Sequence, residues 1–154
     1  HQEKDKRAGT ENVAEIVGLG KAIEDVYSNY ARYNEHLQNL RDFYISQIEQ
    51  KIPTAKLNGD RKSRLPGNAN FSFPNINAQK LLLELDEKGI CASAGSACST
   101  GNPEPSHVLV AIGLDRNLLE GTLRTTFGKE NTKQDVEFLV DSLVNIIQKN
   151  TSFC

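Results

Sequence analysis

Along the first third of the chain the apolar positions recur in alternating steps of three and four, at Ile16, Leu19, Ile23, Val26, Tyr30, Tyr33, Leu37, Leu40 and Tyr44. Such spacing lays one apolar stripe along a helix, and it predicts a helix from Asn12 to Ile52. Asn12 followed by Glu15 forms an Asn-x-x-Glu start of the capping-box kind, and Pro53 closes the segment. A straight helix of about 40 residues is ~60 Å long, whereas a compact chain of this size is only roughly 40 Å across. The helix is therefore expected to overhang or bend. Gly18 and Gly20 are its weak point, since each glycine costs about 1 kcal/mol relative to alanine inside a helix. Its first turns should lean on something outside these residues.

After Pro53 the pattern shortens. Ala55 to Leu57 is followed by a turn at Asn58-Gly59-Asp60 and a basic, solvated loop (Arg61, Lys62, Arg64) that ends at Pro66-Gly67. Asn70-Phe71-Ser72-Phe73 alternates with period two and reads as a strand. Asn77 can cap a helix from Ala78 to Glu87 that stops at Gly89. Ile90 to Ala92 reads as a short buried strand, Ser106 to Ile112 as a helix ending at Gly113, Leu123 to Phe127 as a strand, and Lys133 to Gln148 as a closing helix. A long helix followed by short strands and helices predicts an α/β two-layer sandwich, a small sheet with helices packed on one face.

The 154 residues suit one domain with one core, which buries roughly 68–70% of the unfolded chain's surface. With 38% hydrophobic and 25% charged residues and a net charge of −2, the composition is that of an ordinary globular chain. No apolar run approaches the ~20 residues of a membrane span. Without a basic stripe to neutralise phosphates, nucleic acid is not an expected partner. The three cysteines, Cys91, Cys98 and Cys154, form no CxxC pair and are too few and odd in number for a disulfide framework. A reducing, cytoplasmic compartment is expected, and no metal site. The chain opens on His1 and contains no methionine, so an upstream portion is expected to precede it.

The chemistry concentrates between Ser93 and Pro105, thirteen residues without one large apolar side chain. Nothing there can anchor to a core, so the segment is expected to be an exposed loop, and a loop this long without its own secondary structure is usually functional. Cys98 sits in its middle. Cysteine is among the most buried residue types, and a thiol on a mobile arm can collect a group at one site and deliver it at another. Cys91, in the strand expected before the loop, reads as an inert core residue, and Cys154 as incidental. His107, opening a helix, reads as a surface residue. In the strand Leu123 to Phe127, Leu123, Thr125 and Phe127 share one face, which turns Arg124 and Thr126 away from the core. Thr10 stands just ahead of the long helix, whose amino terminus presents free N–H groups to an anion. It reads equally well as a plain helix cap.

The string SAGSACSTGNPEPSHVLVAIGL (Ser93 to Leu114), GTLRTTFGKENT (Gly121 to Thr132) and, upstream, KRAGTEN (Lys6 to Asn12) together resemble the carboxy-terminal part of a cysteine desulfurase of the NifS/IscS-like group, within the class V aminotransferase-like, fold-type I enzymes that use pyridoxal 5'-phosphate. The resemblance implies that residues 1–52 are a linker motif and connecting helix, and that residues 53–154 are the small domain carrying the catalytic-cysteine loop (93–105), with a large cofactor-binding domain upstream. It implies that Cys98 takes sulfur from L-cysteine as a persulfide and releases L-alanine. Arg124 would pair with the substrate carboxylate, and Thr10, with a contribution from Arg7, would reach the cofactor phosphate of the other subunit in a homodimer. An iron-sulfur scaffold or another acceptor protein would receive the sulfur. The lysine that holds the cofactor, the aspartate at its ring nitrogen and the histidine over its ring belong to the large domain, so these 154 residues alone are expected neither to hold the cofactor nor to turn over. Two other readings stay open, a non-catalytic sulfur-carrier or scaffold-docking module and a selenocysteine lyase-like enzyme.

Overall fold

The computed structural model describes residues 2–95 and 106–151. The chain divides into two compact units, His1–Tyr33 and Asn34–Cys154.

A single helix, α1 (Val13–Lys51), accounts for most of the first unit and runs on into the second. It is unbroken through Gly18 and Gly20. At its start the Glu15 N–H donates to Asn12 Oδ1 at 3.4 Å, the cap expected from the Asn-x-x-Glu spacing. The apolar stripe has two fates. Ile16, Val17, Leu19, Ile23, Val26, Tyr27 and Tyr30 are exposed, Tyr27 by 85%, whereas Leu40, Tyr44, Ile45 and Ile48 are buried.

In the second unit β1 (Lys56–Leu57), β2 (Asn68–Ser72) and β3 (Thr122–Thr126) form an antiparallel sheet in that spatial order. Helices α2 (Ala78–Asp86) and α5 (Lys133–Thr151) and the second part of α1 cover one face, the two-layer arrangement expected. Two short helices, α3 (His107–Ala111) and α4 (Arg116–Leu119), hold a small cluster of Leu109, Leu114 and Leu118. The core joins Tyr44 and Ile48 of α1, Phe71 of β2, Leu81 and Leu85 of α2, Leu123 of β3 and Val140 and Leu143 of α5. At its centre the Tyr44 ring stands edge-on to Phe71 and Phe127, with centroids 5.7 and 5.5 Å away, a favoured aromatic geometry. Burial pushes the Tyr44 hydroxyl far above its usual titration range, and that hydroxyl accepts a hydrogen bond from Thr125 Oγ1 at 3.3 Å.

Three expectations change. Ile90 to Ala92 is not a strand; pairing next to β3 falls instead on one residue, Ser93, which bridges Arg124. Cys91 is accordingly exposed rather than a core residue, because no sheet partner turns it inward. The basic loop is organised rather than merely solvated. Arg61 grips the Glu49 carboxylate with both nitrogens, Arg64 donates to the Asn58 and Asp60 carbonyls, and the Asp60 carboxylate accepts from the Lys62 and Ser63 amides. The short helix α4 is an addition, too brief to announce itself by periodicity.

Candidate functional site

The face of the sheet turned away from the helices is polar because both strands alternate in phase. Asn68, Asn70 and Ser72 on β2 lie opposite Thr126, Arg124 and Thr122 on β3, and directly opposed residues of an antiparallel pair share a face. The result is a ladder of three polar pairs. At one end Asn68 Nδ2 donates to Thr126 Oγ1 at 3.2 Å. At the other, Ser72 Oγ and Thr122 Oγ1 are 3.0 Å apart and buried, with Thr122 donating to the Leu118 carbonyl at the end of α4. Asn58, just after β1, donates from Nδ2 to Asn70 Oδ1 at 2.6 Å and to Ser72 Oγ at 2.8 Å, tying the middle of the ladder to its buried end.

Arg124 occupies the middle pair, exposed and turned off the core as the sequence indicates. Its backbone N–H donates to the Ser93 carbonyl at 2.6 Å and its carbonyl accepts from the Ser93 N–H at 3.2 Å. The segment that leads towards Cys98 is therefore pinned to the backbone of Arg124. Ser93 Oγ donates to the Gly95 carbonyl at 2.7 Å and closes a tight turn there. Among the described residues, no carboxylate pairs with the Arg124 guanidinium. Cys98 and Cys154 lie outside the described residues. On the far side His107 begins α3 and is exposed, the surface position expected of it.

Thr10 belongs to the first unit and Arg124 to the second. Thr10 is exposed, two residues before the capping Asn12, so the cap belongs to Asn12 and not to Thr10. Arg7 curls back to donate to the Gly9 carbonyl at 2.8 Å and to those of Ala8 and Thr10 at 3.4 Å. Its charge is shared with Glu3 and Glu11, 3.8 and 3.6 Å away. A hydrogen bond between those two carboxyls raises the Glu3 pKa and lowers that of Glu11.

The sequence points to Arg124 but not to Asn70 opposite it, nor to Asn58, which holds the Asn70 amide. The available signal was the polar phase of Asn68-Ala69-Asn70-Phe71-Ser72 set against that of Thr122-Leu123-Arg124-Thr125-Thr126. Reading it requires the register, which puts Asn70 opposite Arg124.

Comparison with known proteins agrees with the fold. The chain is 49% identical over 150 residues to the cysteine desulfurase IscS of Clostridium botulinum, covering 96% of this chain and 38% of that protein. It is 45% identical over 148 residues to the corresponding protein of Methanosarcina thermophila, covering 96% of this chain and 36% of that one. Among solved structures a NifS-like protein from Rickettsia africae superposes with a TM-score of 0.81 at 28% identity, covering 96% of this chain and 38% of that one. The chain thus spans little more than a third of the length of these relatives. The class-V aminotransferase family matches residues 1–139, and the chain belongs to that family.

Proposed function

We propose that the protein is a cysteine desulfurase in which Arg124 receives the carboxylate of L-cysteine and Cys98 takes its sulfur. The observation that carries this reading is the Ser93–Arg124 backbone pair. Cys98 follows Ser93 by five residues, and an extended chain of that length reaches at most about 18 Å. The thiol is thereby tethered to the strand that presents a guanidinium whose planar donors match a carboxylate.

In the proposed reaction Arg124 binds and orients the substrate. The Cys98 thiolate, the nucleophilic form of the residue, bonds to the substrate sulfur as the Cβ–S bond breaks. The carbon takes up a proton, L-alanine leaves, and Cys98 holds a persulfide for transfer to an acceptor protein such as an iron-sulfur scaffold. Pyridoxal 5'-phosphate, when bound, would supply the electron sink that makes the Cβ–S bond labile. On this chain Thr10 fits its phosphate, with an exposed hydroxyl beside a helix amino terminus. Arg7, shared with Glu3 and Glu11, is a weaker partner than the sequence suggests. We place the cofactor's lysine outside these residues, and the working enzyme in a cytoplasmic homodimer. No helix among the described residues is long and apolar enough to cross a membrane.

The test is a peptide mass map of the product of the complete reading frame after incubation with L-cysteine. One extra sulfur on the Cys98 peptide, removed by reductant, is expected. Release of alanine with Cys98 unmodified would overturn the assignment.

A further inference from the structure

The hydrogen-bond directions around Arg124 fix how near its neighbour lies. Both backbone groups of Arg124 point to Ser93, away from β2, and the Asn70 carbonyl accepts from the Asn58 N–H at 2.8 Å, pointing to the β1 side and away from β3. Asn70 and Arg124 are therefore a non-hydrogen-bonded pair of the antiparallel ladder, the kind whose Cα atoms come within about 4.5 Å and whose side chains stand closest.

The chemistry of Asn70 at that point is restricted by Asn58. Its amide oxygen accepts from Asn58 Nδ2 at 2.6 Å, and Asn58 is itself buried and held by Ser72 Oγ. With the oxygen turned to Asn58, Asn70 is left with its NH2 group. Among the described residues neither that group nor the Arg124 guanidinium has a hydrogen-bond or ion-pair partner. Two adjacent side chains on the open face thus offer donors and no acceptor: a cation and, beside it, a neutral amide locked in one orientation.

We propose that Asn70 is a second donor to the substrate carboxylate, completing with Arg124 a two-residue receptor whose orientation is set by Asn58. The inference rests on the reading of Arg124 as the carboxylate-binding residue. It assigns Asn70 to substrate binding and Asn58 to positioning, since Asn58 acts only through Asn70. A carboxylate offers two oxygens, so Arg124 can hold it end-on while the amide takes the lateral lone pair. The arrangement selects an amino acid over its decarboxylated amine and disfavours any substrate carrying an acceptor-poor group at that place.

The decisive substitution is Asn70→Asp in the product of the complete reading frame. Aspartate keeps the acceptor that Asn58 requires, so the sheet connection survives, but it removes both donors and sets a negative charge next to Arg124. We expect the KM for L-cysteine to rise by about tenfold or more with kcat changed by less than about threefold, the pattern of lost ground-state binding, and the dissociation constant of L-alanine to rise in parallel. Asn70→Ala, which removes the donors without adding charge, should raise KM by a smaller factor. Asn58→Ala should behave like Asn70→Ala, and binding of 2-aminopropane, which has no carboxylate, should be unchanged in all three. If Arg124→Ala raises KM while Asn70→Asp leaves it within twofold of the parent, Asn70 is only a structural acceptor and the inference falls alone. If Arg124→Ala leaves KM unchanged, the reading on which it rests falls with it.

Discussion

Ser93 and Arg124 exchange both backbone hydrogen bonds, at 2.6 and 3.2 Å, although Ser93 belongs to no strand. One residue thus acts as a fourth position of the sheet, and the segment that carries Cys98 departs from it. An isolated bridge of this kind fixes the point from which that segment starts.

Ser93→Pro tests that starting point. Proline has no N–H, so the bond to the Arg124 carbonyl is lost while the Arg124 side chain is untouched. We expect slower persulfide formation on Cys98 in single-turnover measurements, with the KM for L-cysteine changed by less than about twofold. A rate equal to that of the parent would show that the bridge does not set the reach of the Cys98 thiol.

Gly121, immediately before β3, is enclosed by backbone. A Cβ on it would run into the Phe73 carbonyl oxygen and lie 2.9 Å from that of Ile76, neither of which can swing aside. The same turn is closed by Phe73 N–H to the Gly121 carbonyl and Ala78 N–H to that of Glu120, both at 2.9 Å. Gly121→Ala should therefore destabilise the fold by about 2–3 kcal/mol or more, as overpacking does where the surroundings cannot yield. Chemical denaturation measures it, and a loss below about 1 kcal/mol would contradict this geometry.

The basic loop after β1 should carry its own acid sensitivity. Backbone N–H groups of Ser63 and then Lys62, with Arg64 nearby, hold the Asp60 carboxyl below its usual range. A depressed folded pKa means the turn's contribution is complete above the unfolded value of about 3.9 and is lost as pH falls through the lower, folded value. The amide resonances of Lys62 and Ser63 should titrate with a midpoint below about pH 3.9, and Asp60→Asn should abolish that titration. A midpoint above that value would mean the two N–H bonds do not favour the ionised form.

The exposed apolar side of α1, from Ile16 to Tyr30, gives the 154-residue chain a surface that water does not favour. Sedimentation of that chain should show concentration-dependent association, diminished by Ile23→Glu combined with Tyr27→Glu. Monomer at every concentration would overturn the expectation.

Much of the molecule is legible in local pattern. The 3-4 spacing of α1, the Asn12 and Asn77 caps and the alternation of β2 and β3 are properties of short stretches, and the structure keeps them, with strand ends shifted by one or two residues. Alternation alone also turns Arg124 off the core, because a strand's side-chain period is two in any sheet. Local pattern fails where the partner matters. The apolar run Ile90 to Ala92 resembles a strand, but a strand exists only by pairing, and the available edge of β3 meets Ser93 instead. For the same reason Cys91 lies exposed.

The set of elements, the outward aim of Arg124 and the unusual setting of Cys98 among small residues are all written in the order of the amino acids. Folding settles the rest: which half of the α1 stripe is covered, which residue stands opposite Arg124, and how Asn58 turns the amide of Asn70. Those are questions of register and enclosure. A side chain's period is set by its neighbours along the chain, but its partners come from segments as distant as Asn58, Ser93 and Arg124, brought together only when the sheet forms and the core closes behind it.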